Sequence, residues 1–212
     1  MIESFEDDDP PQLSAETFMA LQEFYNEQNA KETLQQSDTT VEIEEDWQLS
    51  QFWYDDKTTN ILVDAALRRV GPKGTVALIS CPTLYSRFKE VSECDVRLFE
   101  YDDRFSKVCG SQFTHYDYRS PLDVPKEFSK RFDLVIADPP FLSEDCLTKM
   151  AVTIKFLARN DIILCTGEVM SDLAERLLDV TTSNFRPSHK NNLANEFCCY
   201  ANFNLDGLIN LL

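Results

Sequence analysis

Residues 131–141 read Arg-Phe-Asp-Leu-Val-Ile-Ala-Asp-Pro-Pro-Phe, an apolar run that ends in a carboxylate, two prolines and an aromatic ring. Residues 134–137 have the length and composition of a short parallel strand that is buried on both faces. Pro139 and Pro140 fix φ and lack N–H donors, so strand pairing stops there. The sequence therefore predicts a rigid turn at the carboxyl end of a central strand, which is the edge where open α/β sheets bind ligands.

This turn carries groups that can receive an amine. The Asp138 carboxylate and the Pro139 carbonyl can accept the N–H bonds of an NH2 group, and Pro140 holds that carbonyl rigidly. Phe141 can line the pocket or face a cation. Asp-Pro-Pro-Phe resembles the motif of amino-group methyltransferases that use S-adenosylmethionine, and these four residues are therefore the catalytic candidates. The motif suits adenine, glutamine and lysine equally, and the alternative is a proline-terminated strand without chemistry.

Strands and helices alternate from Thr75 onward. The predicted strands are residues 75–80, 96–101, 112–118, 132–137 and 162–166. The predicted helices are one capped by Thr58 or Thr59 and ended by Gly71, one capped by Ser143 that extends to residue 157, and one over 171–178. Residues 185–186 and 196–203 are typical of a final antiparallel pair. This order predicts a doubly wound, Rossmann-like α/β sheet whose last strand is antiparallel.

Length and composition favour one folded domain with a polar N-terminal region. A chain of 212 residues with 43% hydrophobic content can bury one α/β core, which we assign to residues 41–212. Residues 1–40 are interpreted as an acidic tail with an amphipathic helix over residues 15–30.

The chain is strongly acidic. Its formal net charge is -17, and no stretch carries a cluster of basic residues. Such a surface repels phosphate backbones, so nucleic acid is disfavoured as a partner and a basic protein substrate is favoured. The simpler interpretation is that the charge keeps the protein in solution.

Cysteine and histidine usage indicates the compartment and excludes some kinds of site. Seven scattered cysteines form no C-x-x-C pair, which is typical of buried free thiols in a reducing compartment. Two histidines are too few for a His-based metal site, so we expect no metal. We find no signal peptide and no apolar run that approaches a membrane span. These features predict a cytoplasmic protein without a membrane partner, and we expect a monomer.

The candidate cofactor contacts follow the first three strands: Ser80, Cys81, Pro82, Glu100, Tyr101, Asp117 and Tyr118. Glu100 is placed to bind ribose hydroxyls, as the acidic residue of nucleotide-binding folds does, with Asp102 as the alternative. Asp117 can accept from an adenine amine or can simply stabilise a turn. The turn after the first strand contains no glycine, unlike the usual Gly-rich turn of dinucleotide-binding folds.

An aromatic segment over residues 47–54 precedes the first predicted helix of the domain. Gln51, Trp53 and Tyr54 can close over the methionine end of the cofactor, or the segment can be a hydrophobic lid on the sheet. The two roles are compatible, and both stay open.

Four blocks together resemble one family: residues 47–54, 99–105, 138–141 and 192–197. They are similar to the eukaryotic protein-lysine methyltransferases that act on translation elongation factor 1-alpha, a group once labelled as adenine-specific DNA methyltransferases. The resemblance covers nearly the whole chain. It implies a class I seven-stranded fold, S-adenosylmethionine as cofactor, a cytoplasmic location and a protein substrate. The family often has Tyr where this chain has Phe141, a change that removes a hydroxyl and keeps the ring.

Two rival functions are compatible with parts of this pattern. An adenine methyltransferase of DNA or RNA shares the Asp-Pro-Pro-Phe motif but needs a basic groove and a target-recognition region, and the sequence shows neither. A catalytically silent interaction module can have the same fold, although the intact motif argues against it.

Overall fold

The computed structural model describes residues 43–191 and 196–210. The strands within them are β1 (Thr75–Ile79), β2 (Asp95–Glu100), β3 (Phe113–His115), β4 (Phe132–Ala137), β5 (Ala158–Gly167), β6 (Thr181–Thr182) and β7 (Phe197–Ala201). The α-helices are α1 (Asp56–Val70), α2 (Pro82–Val91), α3 (Phe105–Cys109), α4 (Glu144–Leu157), α5 (Ser171–Leu178) and α6 (Leu205–Ile209). The predicted N-terminal region 1–40 and most of the block 192–197 lie outside the described residues.

The described strands form one sheet of seven in the order β3-β2-β1-β4-β5-β7-β6. Strands β1 to β5 are parallel, and β7 runs antiparallel to both β5 and β6. This confirms the predicted doubly wound α/β fold with an antiparallel last strand. Because strand order reverses at β1 and β4, which pair through Ile79 and Ala137, the turns after these two strands meet at one edge.

Strand β4 is buried on both faces, as its apolar composition predicts. Val135 and Ala137 pack into the core beneath α4 and α5, whereas Leu134 and Ile136 pack on the other face with α1 and α2. All four side chains are fully inaccessible to solvent. The alternation follows from the two-residue period of a strand, and it places β4 at the centre of the molecule.

The helix limits are partly as predicted. Ser143 caps α4, because its Oγ accepts a bond of 3.3 Å from the amide of Cys146. Gly71 ends α1 with a φ of 78°. The predicted cap of α1 at Thr58 or Thr59 is wrong, since Asp55 is the cap and accepts from the Thr58 amide at 2.7 Å.

The last strand pair differs from the prediction in one partner. Strand β7 is present, but its edge neighbour is Thr181–Thr182 rather than residues 185–186. Phe185 and Arg186 lie in a loop where both bond to Ser183 instead of to a strand. Helices α2, α3 and α6 were not predicted, and β3 is shorter than expected because Asp117 starts a turn by accepting from the Arg119 amide.

Strand β5 begins at Ala158, four residues before the predicted start. Residues 159–161 are polar and at least partly exposed, so the apolar run that predicts the strand does not include them. Within the described part of the chain, no helix combines the length and the apolar composition that a membrane crossing requires.

Candidate active site

A cavity of ≈ 400 Å³ opens at the carboxyl ends of the parallel strands, within the size range of small-molecule sites. It is lined by every predicted site residue: Gln51, Trp53, Tyr54, Ser80, Cys81, Pro82, Glu100, Tyr101, Asp117, Tyr118, Asp138, Pro139, Pro140 and Phe141. The fold thus brings together segments that are up to about ninety positions apart in the sequence, as the strand order requires.

The turn after β1 is built without glycine but in a conformation that glycine favours. Ser80 has a φ of 55°, and its amide donates to the carbonyl of Phe99 at 3.0 Å. Pro82 is the first residue of α2, where its missing N–H and fixed φ are tolerated. The left-handed conformation costs a non-glycine residue about 1 kcal/mol, and such strained residues concentrate at ligand sites.

Glu100 ends β2 with a buried carboxylate that has one oxygen still available. Its Oε1 accepts from the amides of Tyr101 at 3.0 Å and Asp102 at 3.2 Å. Its Oε2 accepts no hydrogen bond from the described residues. Burial raises the pKa of Glu100 to about 7, although the two backbone bonds oppose that shift. A ligand hydroxyl would supply the polar partner that Oε2 lacks.

Gln51 fastens the aromatic segment to the end of β2. Its Nε2 donates to Asp102 at 2.9 Å, and its Oε1 accepts from Arg104 at 3.2 Å. Arg104 also pairs with Asp102 at 2.7 Å. Burial tends to raise the pKa of Asp102, but the bonds from Arg104 and Gln51 outweigh it and lower that pKa. The polar atoms of Gln51 are therefore engaged within the protein, although the residue lines the cavity.

Trp53 is also held by contacts within the protein. Its indole Nε1 donates to the carbonyl of Ile43 at 3.3 Å, and its ring meets Phe105 edge-on at 5.9 Å. These contacts favour the hydrophobic-lid interpretation for Trp53.

The third strand contributes an acid and an aromatic ring. Asp117 is half-buried and accepts from the Arg119 amide at 2.9 Å, so it forms a turn while it lines the cavity. The ring of Tyr118 lies 5.8 Å from that of Phe141, and 42% of Phe141 is exposed. The Asp-Pro-Pro-Phe turn and the end of β3 thus share one aromatic wall.

Asp138 is fixed at the switch point of the sheet. Its amide donates to the carbonyl of Ile79 at 3.0 Å, which continues the pairing of β4 with β1. The side chain can be reached from the cavity, yet burial raises its pKa to about 7. The Tyr54 hydroxyl opposes this rise, and the charge of Glu100 adds to it. A carboxyl group with such a pKa can accept or release a proton near neutral pH.

Sequence reasoning missed several lining residues: Gln48, Leu49, Ser50, Phe52, Thr83, Tyr116, Arg119, Leu142, His189 and Phe197. His189 lies 5.1 Å from Tyr54 and 4.8 Å from Phe197, between ring centroids. Burial lowers the pKa of His189 although Glu45 and Asp55 oppose the shift. No local pattern links it to Tyr54, because the two pair across distant segments of the chain.

The donor set fits a cationic nucleoside cofactor better than a metal. Among the described residues, no group of three or more His, Cys, Asp or Glu side chains is placed to hold a metal ion. The cavity combines three carboxylates, Glu100, Asp117 and Asp138, with aromatic walls. Such a lining can bind ribose hydroxyls, an amine and a positive charge.

One solved structure shares the fold of this chain. The chain resembles the branched-chain polyamine synthase C9 mutein from Thermus thermophilus, in complex with N4-aminopropylspermidine and 5′-methylthioadenosine, with a TM-score of 0.55. The two are 14% identical, and the match covers 75% of this chain and 58% of the other. This likeness concerns the fold alone.

Sequence similarity to known proteins identifies the family more specifically than the fold does. Residues 45–205 match the family described as Probable N6-adenine methyltransferase. The chain is 47% identical over 206 residues to EEF1A lysine methyltransferase 1 of Gallus gallus, covering 93% of this chain and 96% of that protein. It is 46% identical over 203 residues to the protein of the same name from Homo sapiens, with coverages of 93% and 94%.

A fungal relative is also similar over most of its length. Protein-lysine N-methyltransferase EFM5 of Saccharomyces cerevisiae is 39% identical over 226 residues, covering 90% of this chain and 91% of that protein. Fold, cavity and sequence agree with the resemblance that the Asp-Pro-Pro-Phe block indicates. The chain therefore belongs to the EEF1A lysine methyltransferase 1 family, whose members are methyltransferases that use S-adenosylmethionine.

Proposed function

We propose that this protein transfers a methyl group from S-adenosylmethionine to a lysine side chain of translation elongation factor 1-alpha. The observation that carries the proposal is the Asp138–Phe141 turn on the cavity that Glu100 also lines. The names of relatives that are 46% to 47% identical over 93% of this chain supply the substrate.

The cofactor is proposed to lie across the ends of β1, β2 and β3. We assign its ribose hydroxyls to the available oxygen of Glu100 and its adenine amine to Asp117. Its methionine end is assigned to the turn Ser80–Pro82 and to the segment before α1 that holds Gln51. When bound, S-adenosylmethionine supplies an electrophilic methyl group on a positively charged sulfur.

The amine is proposed to enter beside the Asp-Pro-Pro-Phe turn. A lysine ammonium, with an ordinary pKa of about 10.4, has to lose a proton before its lone pair can attack. Burial and a neighbouring positive charge both favour that loss. The Asp138 carboxylate and the Pro139 carbonyl then accept the two remaining N–H bonds and orient the lone pair, while Pro140 keeps the carbonyl in place. Orientation of this kind supplies much of the catalysis of an in-line transfer.

The charge of the molecule supports a basic protein as substrate. Three exposed acidic side chains, Glu144, Glu168 and Glu196, lie at the same edge of the sheet as the cavity. With a net charge of -17, this surface favours an encounter with a basic protein and opposes one with a polyanion.

The competing function is adenine methylation, which the description of the matching family favours. The two functions can be separated by offering radiolabelled cofactor to purified elongation factor 1-alpha, to its lysine-to-arginine variants, and to adenine-containing DNA and RNA. We expect label in the protein, lost in one lysine variant, and none in the nucleic acids. Label in nucleic acid with none in the protein would establish the adenine reaction instead.

We further propose that the protein acts in the cytoplasm as a monomer. All seven cysteines are free and buried, as in proteins of reducing compartments. Cell fractionation and sedimentation analysis test both statements. Recovery of the protein in the fraction of an oxidising compartment would contradict the first statement, and a stable dimer at micromolar concentration would contradict the second.

A further inference from the structure

Tyr54 is the last residue of the aromatic segment and is held rigidly at the cavity. It forms an antiparallel bridge with His189, and the two rings lie 5.1 Å apart. On either side, the Lys190 amide donates to the Trp53 carbonyl at 2.8 Å and the Asp55 amide donates to the Ser188 carbonyl at 3.0 Å. Only 1% of Tyr54 is exposed, so its ring has little freedom to move.

The hydroxyl of Tyr54 is buried and makes no hydrogen bond of regular geometry to a described residue, while Asp138 is the carboxylate that interacts with it. A buried hydroxyl without a partner is unfavourable, and in native proteins such groups are rare and often functional. The hydroxyl of a tyrosine often reaches water at the protein surface. The Tyr54 side chain is instead buried inside the protein, at the lining of the cavity.

Ionisable groups from four segments of the chain act on this hydroxyl or pack against its ring. They are Asp138 after β4, Cys165 in β5, Cys81 after β1 and His189 in the loop before β7, with Glu100 beyond Asp138. Asp138 is the carboxylate among the groups that act directly on Tyr54. Burial first, and then the charge of Asp138, raise the pKa of Tyr54 well above its usual value, so the hydroxyl keeps its proton and remains a donor.

We propose that the Tyr54 hydroxyl donates a hydrogen bond to the Asp138 carboxylate and holds it as the acceptor for the incoming amine. Tyr54 is then a positioning residue for the Asp-Pro-Pro-Phe turn and not a contact of the cofactor. This inference rests on the proposed function only in the identity of the amine that Asp138 receives.

The bond has two consequences at the site. It occupies one oxygen of Asp138, which leaves the other oxygen for the amine. It also stabilises the ionised carboxylate, because a donor to the charged form lowers the pKa of an acid. Tyr54 thus opposes the burial and the Glu100 charge that raise the pKa of Asp138.

The chain offers a matched control for removal of this hydroxyl. Tyr200 in β7 is also fully buried, and its hydroxyl likewise makes no hydrogen bond of regular geometry to a described residue. It packs in the core on the opposite face of the sheet and does not line the cavity. Tyr54→Phe and Tyr200→Phe therefore remove the same atom from comparable burial, and only the first lies beside Asp138.

The direct test is the titration of the Asp138 carboxyl carbon by NMR in the wild type and both variants, with Asp138→Asn to assign the signal. We expect Tyr54→Phe to raise the pKa of Asp138 by about one unit, the scale of one hydrogen bond to a charged group. Tyr200→Phe is expected to leave it unchanged. No difference between the two variants would overturn the proposal, and this readout requires no methyl acceptor.

A second measurement separates positioning from cofactor contact. The deficit of Tyr54→Phe in methyl transfer is expected to be about tenfold larger near pH 6 than near pH 9, where Asp138 is ionised in both proteins. Binding of S-adenosylhomocysteine is expected to stay within about twofold of wild type. Weakened cofactor binding with an unchanged Asp138 titration would assign Tyr54 to the cofactor instead.

A third variant keeps the test decisive if Tyr54→Phe does not fold. Difluorotyrosine placed at position 54 retains the ring and makes the hydroxyl a stronger donor, so we expect the pKa of Asp138 to fall. An unchanged or raised pKa would contradict the proposal. If the wild-type protein does not methylate elongation factor 1-alpha, the proposed function fails, and the titration still decides whether Tyr54 bonds Asp138.

Discussion

Asp138 and Glu100 are two carboxyl groups on one cavity, the first partly accessible and the second buried, and desolvation raises the pKa of each to about 7. They differ in what already binds them, since two backbone amides donate to Glu100 whereas Asp138 faces the Tyr54 hydroxyl. This difference suits the proposed division of labour, with Glu100 for a neutral hydroxyl ligand and Asp138 for the amine.

Asp138→Asn is expected to lower methyl transfer by about a hundredfold or more, because it replaces the acceptor that orients the amine with a group that also donates. Cofactor binding is expected to change by no more than about threefold, since Asp138 faces the amine and not the adenosine. Calorimetry with S-adenosylhomocysteine and a turnover assay give the two numbers. Full turnover in the variant would remove Asp138 from the mechanism.

Glu100→Gln is expected to weaken cofactor binding by about tenfold, through loss of a charge-assisted hydrogen bond. The same change is expected to stabilise the free protein by about 1 to 3 kcal/mol near pH 8. The sign follows from the raised pKa of Glu100, because the folded protein retains a proton that the unfolded chain has released. Stability therefore falls as pH rises from about 4.5 to 7, and the variant escapes this loss.

Urea unfolding of both proteins at several pH values measures the second effect. Glu93→Gln is the control, because Glu93 is an exposed acid whose side chain is 80% accessible. Normal cofactor binding by the Glu100 variant would mean that another residue binds the ribose. If the Glu100 variant is no more stable than the wild type near pH 8, ionisation of Glu100 costs the folded protein little stability.

At the scale of elements, the segment before α1 is fastened to β2 by Gln51, Asp102 and Arg104. Arg104 also donates to the carbonyl of Glu44 at 3.4 Å. Its side chain therefore bonds to Glu44 and Gln51 of the segment before α1 as well as to Asp102 after β2. The segment supplies one wall of the cavity, and its attachment matters for binding even though Arg104 does not line the cavity.

Arg104→Ala is therefore expected to weaken cofactor binding about threefold to tenfold and to speed hydrogen exchange over residues 46–54. Arg159→Ala is the matched control, since it breaks an Arg–Asp pair with Asp133 at the opposite edge of the sheet. Equal effects of the two variants on cofactor binding would indicate general destabilisation and would contradict the fastening role.

The elements that could be predicted are those with local signals. Strand β4 and the turn after it were predicted to the residue, because an apolar run followed by two prolines leaves few alternatives. The helix after Ser143 had a cap and a regular apolar spacing. Strand β6 had neither, since it consists of two exposed threonines that pair only because β7 lies beside them.

The same distinction between residues with a local sequence signal and residues without one applies to the site. Glu100 and Asp138 stand at the ends of recognisable strands, where the topology of the sheet places ligand contacts. His189 lies in a loop and reaches the site by pairing with Tyr54, a tertiary contact with no local signal. Gln51 was predicted as a site residue, but its bonds to Asp102 and Arg104 depend on the folded structure.

At the scale of the whole molecule, charge and topology act together. The sheet places the ends of five parallel strands at one edge, where the exposed acids Glu144, Glu168 and Glu196 also lie. A chain with a net charge of -17 is expected to attract a basic protein over a long range.

Turnover at low substrate concentration is accordingly expected to fall severalfold as salt rises through about 0.05 to 0.3 M. The effect is expected in kcat/KM and not in kcat, since screening slows the encounter and leaves the buried site unchanged. Initial rates at several ionic strengths measure it. A rate that is independent of salt would show that charge does not guide this encounter.

The proposed reaction is methylation of a lysine in elongation factor 1-alpha at the Asp-Pro-Pro-Phe turn. The most direct measurement is peptide mass spectrometry of purified, unmethylated elongation factor after incubation with S-adenosylmethionine and either the wild-type protein or Asp138→Asn. We expect added methyl groups on one lysine with the wild type and almost none with the variant. An unmodified factor, or equal modification by both proteins, would contradict it.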